Sequence, residues 1–406
     1  MFLLVSIILI FSSCCGDGTG TLLVGAILGG GSYEPVDESD LLLNEDFIWR
    51  NKNTAVTVMS ELNSYFCKDN YFSLRNVEDD KIIWANQDLV NFPNKDNSYF
   101  GENFIVSNFS DGHTIIEIAT GDIIYQKDLT PVGYKTSPKK ITGIGDLFFQ
   151  VGTTSFPNNQ FQDVVLQGNI NASSRLETIL KPNFQTDIFD QYIGIGTIGE
   201  IQSFETANGD IMLALTYAEP TAGNEVEISF GLWNMNTEEW IYERIHFMNY
   251  FGKANLHIDE DKLYCYNSLK LACYNLNDGS LIWEKETETT AVSPQFLDEF
   301  IVIENGNLEI LNNENGEIIT IHQSTIFDFA ASSKFVYIPL DELKIFDIET
   351  SKIIKTIETP YINYPKEIPG YFKHLSDLTV VEDKENGIDH IFISLNGYNF
   401  KMEMEH

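Results

Sequence analysis

Short apolar runs separated by polar turns follow one another along this chain, and one phrase recurs among them. A polar-rich turn, usually holding Gly, is followed by two apolar residues and often an aromatic one. It reads Asn277-Asp278-Gly279-Ser280-Leu281-Ile282-Trp283, Glu78-Asp79-Asp80-Lys81-Ile82-Ile83-Trp84 and Ala119-Thr120-Gly121-Asp122-Ile123-Ile124-Tyr125. Looser copies end in Ile318-Ile319-Thr320, Ile353-Ile354-Lys355, Trp240-Ile241-Tyr242 and Leu176-Glu177-Thr178. A recurrence of roughly 35 to 65 residues, shortest in the cleanest copies, marks a repeat architecture. Ahead of Leu281-Ile282-Trp283 lie three further β-rich runs, Ala254-Asn255-Leu256-His257-Ile258, Lys262-Leu263-Tyr264-Cys265-Tyr266 and Leu271-Ala272-Cys273-Tyr274. Asn, Asp, Gly and Ser break the runs, which is the signature of strands and hairpins. The same order returns around Phe300-Ile301-Val302-Ile303 and again around Phe335-Val336-Tyr337-Ile338. After the N-terminal segment no apolar stripe persists at helical spacing, so the pattern predicts almost no helix. Four-stranded sheets packed side by side around an axis bury faces that one sheet alone leaves open, so the expected fold is an all-β propeller.

The two ends set the expected number of blades. The last unit has Leu378-Thr379-Val380-Val381, His390-Ile391-Phe392-Ile393 and Tyr398-Asn399-Phe400-Lys401, but no fourth run. Phe47-Ile48-Trp49 looks like a fourth strand without its first three. Pairing it onto the last unit closes a ring and removes an exposed sheet edge. Fourth strands then end near Trp49, Trp84, Tyr125, Thr178, Tyr242, Trp283, Thr320 and Lys355, which gives eight blades within residues 46–406. Seven is the alternative, because the unit around Thr178 is poorly marked.

These units resemble the pyrroloquinoline-quinone-type (PQQ-like) repeat family of eight-bladed propellers. Its repeat reads as a tyrosine-bearing strand, a leucine-alternating strand and then Asp-x-x-x-Gly-x-x-x-Trp. Residues 261–287 match it well, residues 70–88 and 103–129 moderately, and residues 145–180 hardly. The resemblance spans about residues 46–404 at superfamily level. It implies one of two classes: a quinone-dependent dehydrogenase, or a cofactor-free envelope scaffold of the outer-membrane assembly type. The dehydrogenases resemble one another in a larger chain, a calcium ion beside the quinone and often a disulfide between adjacent cysteines. The only adjacent pair here, Cys14-Cys15, lies at the end of the N-terminal apolar run. No residues accept a quinone site, so the expectation is a protein without catalysis or cofactor.

The N-terminus points to the envelope. Residues 2–11 form an apolar run too short to span a bilayer and typical of a signal-peptide core. Phe11-Ser12-Ser13-Cys14 resembles the lipobox of bacterial lipoproteins, with residues 1–13 as signal, Cys14 as the lipidated residue and residues 14–45 as an acidic tether. An ordinary secretory signal with incidental cysteines is the alternative. With 60 Asp and Glu against 25 Lys and Arg, the formal net charge is −35. Such a surface repels nucleic acid and anionic headgroups, whose recognition depends on Lys and Arg.

Several apparent motifs lead nowhere. Gly194-Ile195-Gly196-Thr197-Ile198-Gly199 fits a dinucleotide fingerprint, but Glu200-Ile201-Gln202-Ser203-Phe204 follows with strand alternation where that motif needs a helix. Asn312-Asn313-Glu314-Asn315-Gly316 lacks the first and last ligands of a calcium loop and reads as a hairpin turn. The seven histidines show no metal-ligand pairing, His257 with Asp259 coming nearest. Cys67, Cys265 and Cys273 form no disulfide framework; Cys265 and Cys273 fall on neighbouring strands and read as buried thiols.

What remains is a rigid platform whose loops do the work. In an antiparallel blade the second-to-third and blade-to-blade connections emerge on one face. The long connections, residues 91–99, 129–138, 155–162, 181–192, 218–225 and 359–371, all belong to these classes. They carry Phe92, Tyr134, Phe156, Phe184, Phe189, Tyr192, Tyr361 and Tyr364. Aromatic residues dominate interface hot spots, so these eight are the candidate partner-binding residues. The expected partner is another envelope or secreted protein, bound by a monomeric, lipid-anchored propeller; carbohydrate is the alternative ligand. Opposite-face turn residues such as Asn313 and Glu349 serve as the outward positions for comparison.

Overall fold

The computed structural model describes residues 47–51, 58–60, 64–68, 71–87, 98–109, 112–128, 134–155, 161–171, 176–182, 186–189, 192–221, 226–250, 252–287, 294–322, 329–339, 342–358, 377–395 and 398–406. Eight four-stranded antiparallel sheets, arranged as an eight-bladed β-propeller, account for all but one of the strand pairings, and no helix occurs among the described residues. Blade 1 spans residues 58–86, blade 2 98–128, blade 3 134–180, blade 4 197–249, blade 5 255–286, blade 6 295–322 and blade 7 330–358. Blade 8 takes its first three strands from residues 377–405 and its fourth from Phe47–Asn51. That fourth strand runs antiparallel to Tyr398–Glu405, with Phe47 opposite Met402 and Asn51 opposite Asn399. The weakly marked unit around Thr178 is a full blade whose fourth strand, Glu177–Leu180, is short.

Apolar seams hold the blades together. Consecutive residues of a strand point to opposite faces, and here both faces are buried, one against each neighbour. In Lys262–Tyr266, Leu263 and Cys265 pack towards blade 4 with Met212, Phe230 and Phe247, while Tyr264 packs towards blade 6 with Ile301 and Leu311. Equivalent clusters join blade 1 to 2 through Phe66 and Ile105, blade 2 to 3 through Val106 and Phe148, and blade 3 to 4 through Phe149 and Leu213. Blades 6 and 7 meet through Ile310 and Val336, and blades 8 and 1 through Phe392 and Tyr65, whose ring centroids lie 5.4 Å apart. Each buried Leu, Ile or Phe contributes about 1.5–3 kcal/mol.

The recurring polar turn joins the third strand to the fourth. In most blades its first residue is an Asn or Asp whose side-chain oxygen accepts backbone N–H groups two or three residues on; in blade 2 it is Glu117. Asn76 accepts from Glu78, Asn234 from Asn236, Asn275 from Asn277 and Asn312 from Glu314, at 2.7 to 2.8 Å, and Asp347 accepts from Thr350 at 2.6 Å. Such side chains mimic a backbone turn, which is why the phrase starts with them. The turn then needs one left-handed residue. Gly121, Gly279 and Gly316 supply it at φ 75°, 70° and 69°, and Asp80, Glu238 and Ser351 adopt it at 57°, 57° and 55° where the phrase lacks Gly.

The Gly and the Trp of one phrase do not meet each other; each meets a neighbouring blade. Gly279 lies under Tyr242 of blade 4, and Gly316 lies under Trp283 of blade 5. The indole nitrogen of Trp283 donates to Asn313 O at 3.1 Å, and that of Trp84 donates to Ile118 O at 2.5 Å. Asn313, chosen from sequence as an outward turn position, is instead buried, and its side-chain amide donates to Asp298 O at 2.6 Å.

Every fourth strand is also bulged at the same step. Pairing passes from Leu74 opposite Trp84 to Arg75 opposite Ile82, which leaves Ile83 without a cross-strand partner. The same one-residue shift leaves out Ile48, Ile124, Ile179, Ile241, Ile282, Ile319 and Ile354. All eight bulged residues are isoleucine. Strict alternation would place Ile83 opposite in sense to both neighbours; the bulge instead lets Ile82 and Ile83 both face outward while Trp84 turns in.

Candidate functional site

Antiparallel connection places the second-to-third and blade-to-blade links on one face and the tight turns on the other. Of the eight candidate aromatic residues, Phe92, Phe156, Phe184, Tyr361 and Tyr364 lie outside the described residues. So does Cys14. Two sequence assignments on this face are corrected. Tyr134 is not in a loop but opens the first strand of blade 3, opposite Thr154. Residues 181–192 are not a plain connection either: Thr186–Phe189 and Tyr192–Ile195 pair as a separate hairpin between blades 3 and 4. Its register sets Phe189 directly opposite Tyr192, so the structure brings two of the eight residues together. Gly punctuation at Gly194, Gly196 and Gly199 hid this hairpin from a reading based on apolar runs. The strand Thr197–Glu205 follows it, where a dinucleotide fingerprint requires a helix.

The seam between blades 7 and 8 is built differently. Asp389, fully buried, accepts from Ser332 Oγ and from the Tyr337 hydroxyl, both at 2.5 Å, and lies 2.9 Å from His406 Nε2. Beside it Glu382 accepts from the backbone N–H of Ser333 at 3.2 Å and from the Ser333 hydroxyl. Burial, and then the Asp389 charge, push the Tyr337 phenol well above its ordinary value, so it remains a donor. Glu382, Asp389 and His406 are the one group among the described residues close enough to share an ion, with candidate ligand atoms within 4.8 Å of one another. Their oxygens already face protein donors from two blades, which makes the group a polar clasp between blades 7 and 8. No local pattern marks it, because its members come from two repeat units and become neighbours only when blades 7 and 8 pack together.

Adjacent cysteines do not occur among the described residues, and the only ion-sized carboxylate group is engaged in the clasp. His257, the nearest histidine candidate, stacks flat on Phe296 at 4.1 Å between blades 5 and 6.

Cys265 and Cys273 are buried and unbonded. Register explains why: Cys265 lies opposite Ala272 and Cys273 opposite Tyr264, so the two sulfurs sit on opposite faces of the blade. Burial pushes the Cys265 thiol up beyond its ordinary range and the Cys273 thiol up to about 12. Since the thiolate is the reactive form, neither is expected to react with a disulfide reagent at neutral pH until urea unfolds the blade. Rapid labelling of Cys265 or Cys273 in the native protein, read by peptide mass, would contradict this packing.

No family model matches this chain. No curated protein matches it in sequence either. Among solved structures, BamB from Moraxella catarrhalis is similar at 12% identity and a TM-score of 0.54, over 88% of this chain and 99% of that one. A chain of a Mitotic Checkpoint Complex matches at 9% identity and a TM-score of 0.45, over 82% and 96%. Dihydro-heme d1 dehydrogenase NirN, in complex with DHE, matches at 10% identity and a TM-score of 0.40, over 86% and 85%. The BamB likeness supports the propeller fold, and the two looser ones carry no weight below.

Proposed function

We propose that this chain is a non-catalytic interaction scaffold of the bacterial cell envelope, anchored through a lipid on Cys14 and a tether of residues 14–45, that binds another envelope or secreted protein. One observation carries the reading: the chain forms eight four-stranded blades, and its sequence puts the long, aromatic-bearing segments in the connections expected on one face and the tight turns in those expected on the other. The acidic composition and the signal-like N-terminus point the same way. The hairpin of Thr186–Phe189 and Tyr192–Ile195 adds a structured element to the long-loop face.

Affinity capture from cross-linked cells tests it. Phe156→Ala, Phe189→Ala and Tyr364→Ala together should reduce partner recovery by roughly thirtyfold or more, since one hot-spot truncation costs about 2 kcal/mol. Glu349→Ala, an exposed tight-turn residue, should leave recovery unchanged. Recovery that survives the aromatic substitutions but is lost with Glu349→Ala would reverse the assignment of faces.

A further inference from the structure

Six of the bulged isoleucines, Ile83, Ile124, Ile241, Ile282, Ile319 and Ile354, are exposed on the outer wall, and around blades 4 to 6 acidic residues flank them. Ile241, Leu281, Ile282, Ile318, Ile319 and Ile321 are 43 to 51% exposed on three successive fourth strands. The exposed acids Glu238, Glu239, Asp278, Glu286 and Glu317 flank them. The two basic side chains on those strands are already engaged: Arg244 with Glu219, and Lys285 with Glu309 at 3.1 Å. The fourth strands of blades 1 and 7 differ, with Lys81, Lys352 and Lys355 beside their isoleucines.

A single exposed isoleucine is ordinary, but a repeated apolar row with one sign of charge around it marks an interaction surface. The bulges limit what can sit there. Each one twists the strand and breaks the regular spacing of edge N–H and C=O groups, so an added strand cannot pair along it. Contact must come from side chains. A second copy of this chain would bring its own charge of −35 against an acidic wall, which like-charge repulsion opposes. We infer that the outer wall of blades 4 to 6 is a docking surface for a basic amphipathic helix, whose aliphatic face meets the isoleucine belt and whose Lys or Arg residues meet the flanking carboxylates. This surface is separate from the long-loop face, so either reading can fail without the other.

The test uses a synthetic amphipathic helix of leucine and lysine as probe, with a scrambled peptide of the same composition, at near-physiological salt. Binding to the full chain is followed by fluorescence anisotropy. The triple variant Ile241→Thr, Ile282→Thr and Ile319→Thr keeps β-branched residues in the strands, so the fold should persist, as checked by an unchanged melting temperature. It should weaken binding of the amphipathic probe at least tenfold. The matching triple on blades 1, 2 and 7, Ile83→Thr, Ile124→Thr and Ile354→Thr, should change it less than threefold, and the scrambled peptide should not distinguish the two. Equal weakening by both triples, or none by either, would overturn the inference, as would a concentration-dependent dimer in sedimentation that only the blade 4 to 6 triple abolishes. If the first triple fails to fold, Glu239→Gln with Glu317→Gln takes its place; it should weaken the probe severalfold and flatten its salt dependence, and an unchanged salt dependence would overturn the charge assignment.

Discussion

A chain lacking residues 45–50 is expected to melt well below the parent and to aggregate on heating. The deletion removes most of the fourth strand of blade 8, which pairs with Tyr398–Glu405 through Phe47, Trp49, Arg50 and Asn51. At about 1 kcal/mol net per hydrogen bond, losing such a strand costs several kcal/mol, a large part of the roughly 5–15 kcal/mol that stabilises a folded protein. It also uncovers the backbone of Tyr398–Glu405 as a new sheet edge, which templates association between chains. Removing residues 1–31 instead leaves the pairing intact. Thermal melting with light scattering separates the two, and equal melting temperatures for parent and the 45–50 deletion would rule out this closure.

The second large effect concerns the Gly on which a neighbour's aromatic ring rests. A Cβ added at Gly316 would lie 2.6 Å from Trp283 Cδ2, at φ 69°. Gly316→Ala therefore carries two costs: about 1 kcal/mol for a left-handed alanine and about 1–3 kcal/mol for overpacking. Gly306 isolates the first cost, since at φ 71° it has nothing within 4 Å of the added atom. Urea midpoints should place Gly316→Ala about 2 kcal/mol below Gly306→Ala, and equal midpoints would mean that Trp283 does not rest on that turn. Conversely, Ser351→Gly should raise stability by about 0.5–1 kcal/mol, because Ser351 already holds φ 55°.

The candidate site was less legible than the fold. Tyr134 reads as loop because the start of its strand, Tyr134-Lys135-Thr136-Ser137-Pro138-Lys139-Lys140, is polar and holds a Pro, and the hairpin carrying Phe189 and Tyr192 reads as loop because its two strands are four residues each and the second holds Gly194. Asn313 was taken for an exposed turn residue because its sequence neighbours are polar; its burial comes from Trp283 and Asp298, one on the preceding blade and the other in an adjacent turn of its own blade. The clasp around Asp389 has no sequence signal at all.

Most of the strands, the turns between them, the repeat and the need for Phe47-Ile48-Trp49 to complete the last unit are legible in the chain alone, while the choice of eight blades over seven came from the fold. Those features rest on local chemistry: side-chain alternation, Asn and Gly turn preferences, and an unpaired edge at each end of the chain. What each repeat touches follows from the packing of the blades. The tryptophan of one phrase lies on the next phrase's turn, Cys265 and Cys273 face opposite seams, and in six of the blades the bulged isoleucine after the turn is turned out to solvent. Blades pack through both faces at once, so the partner of a residue is fixed by which blade stacks on it rather than by its neighbours along the chain.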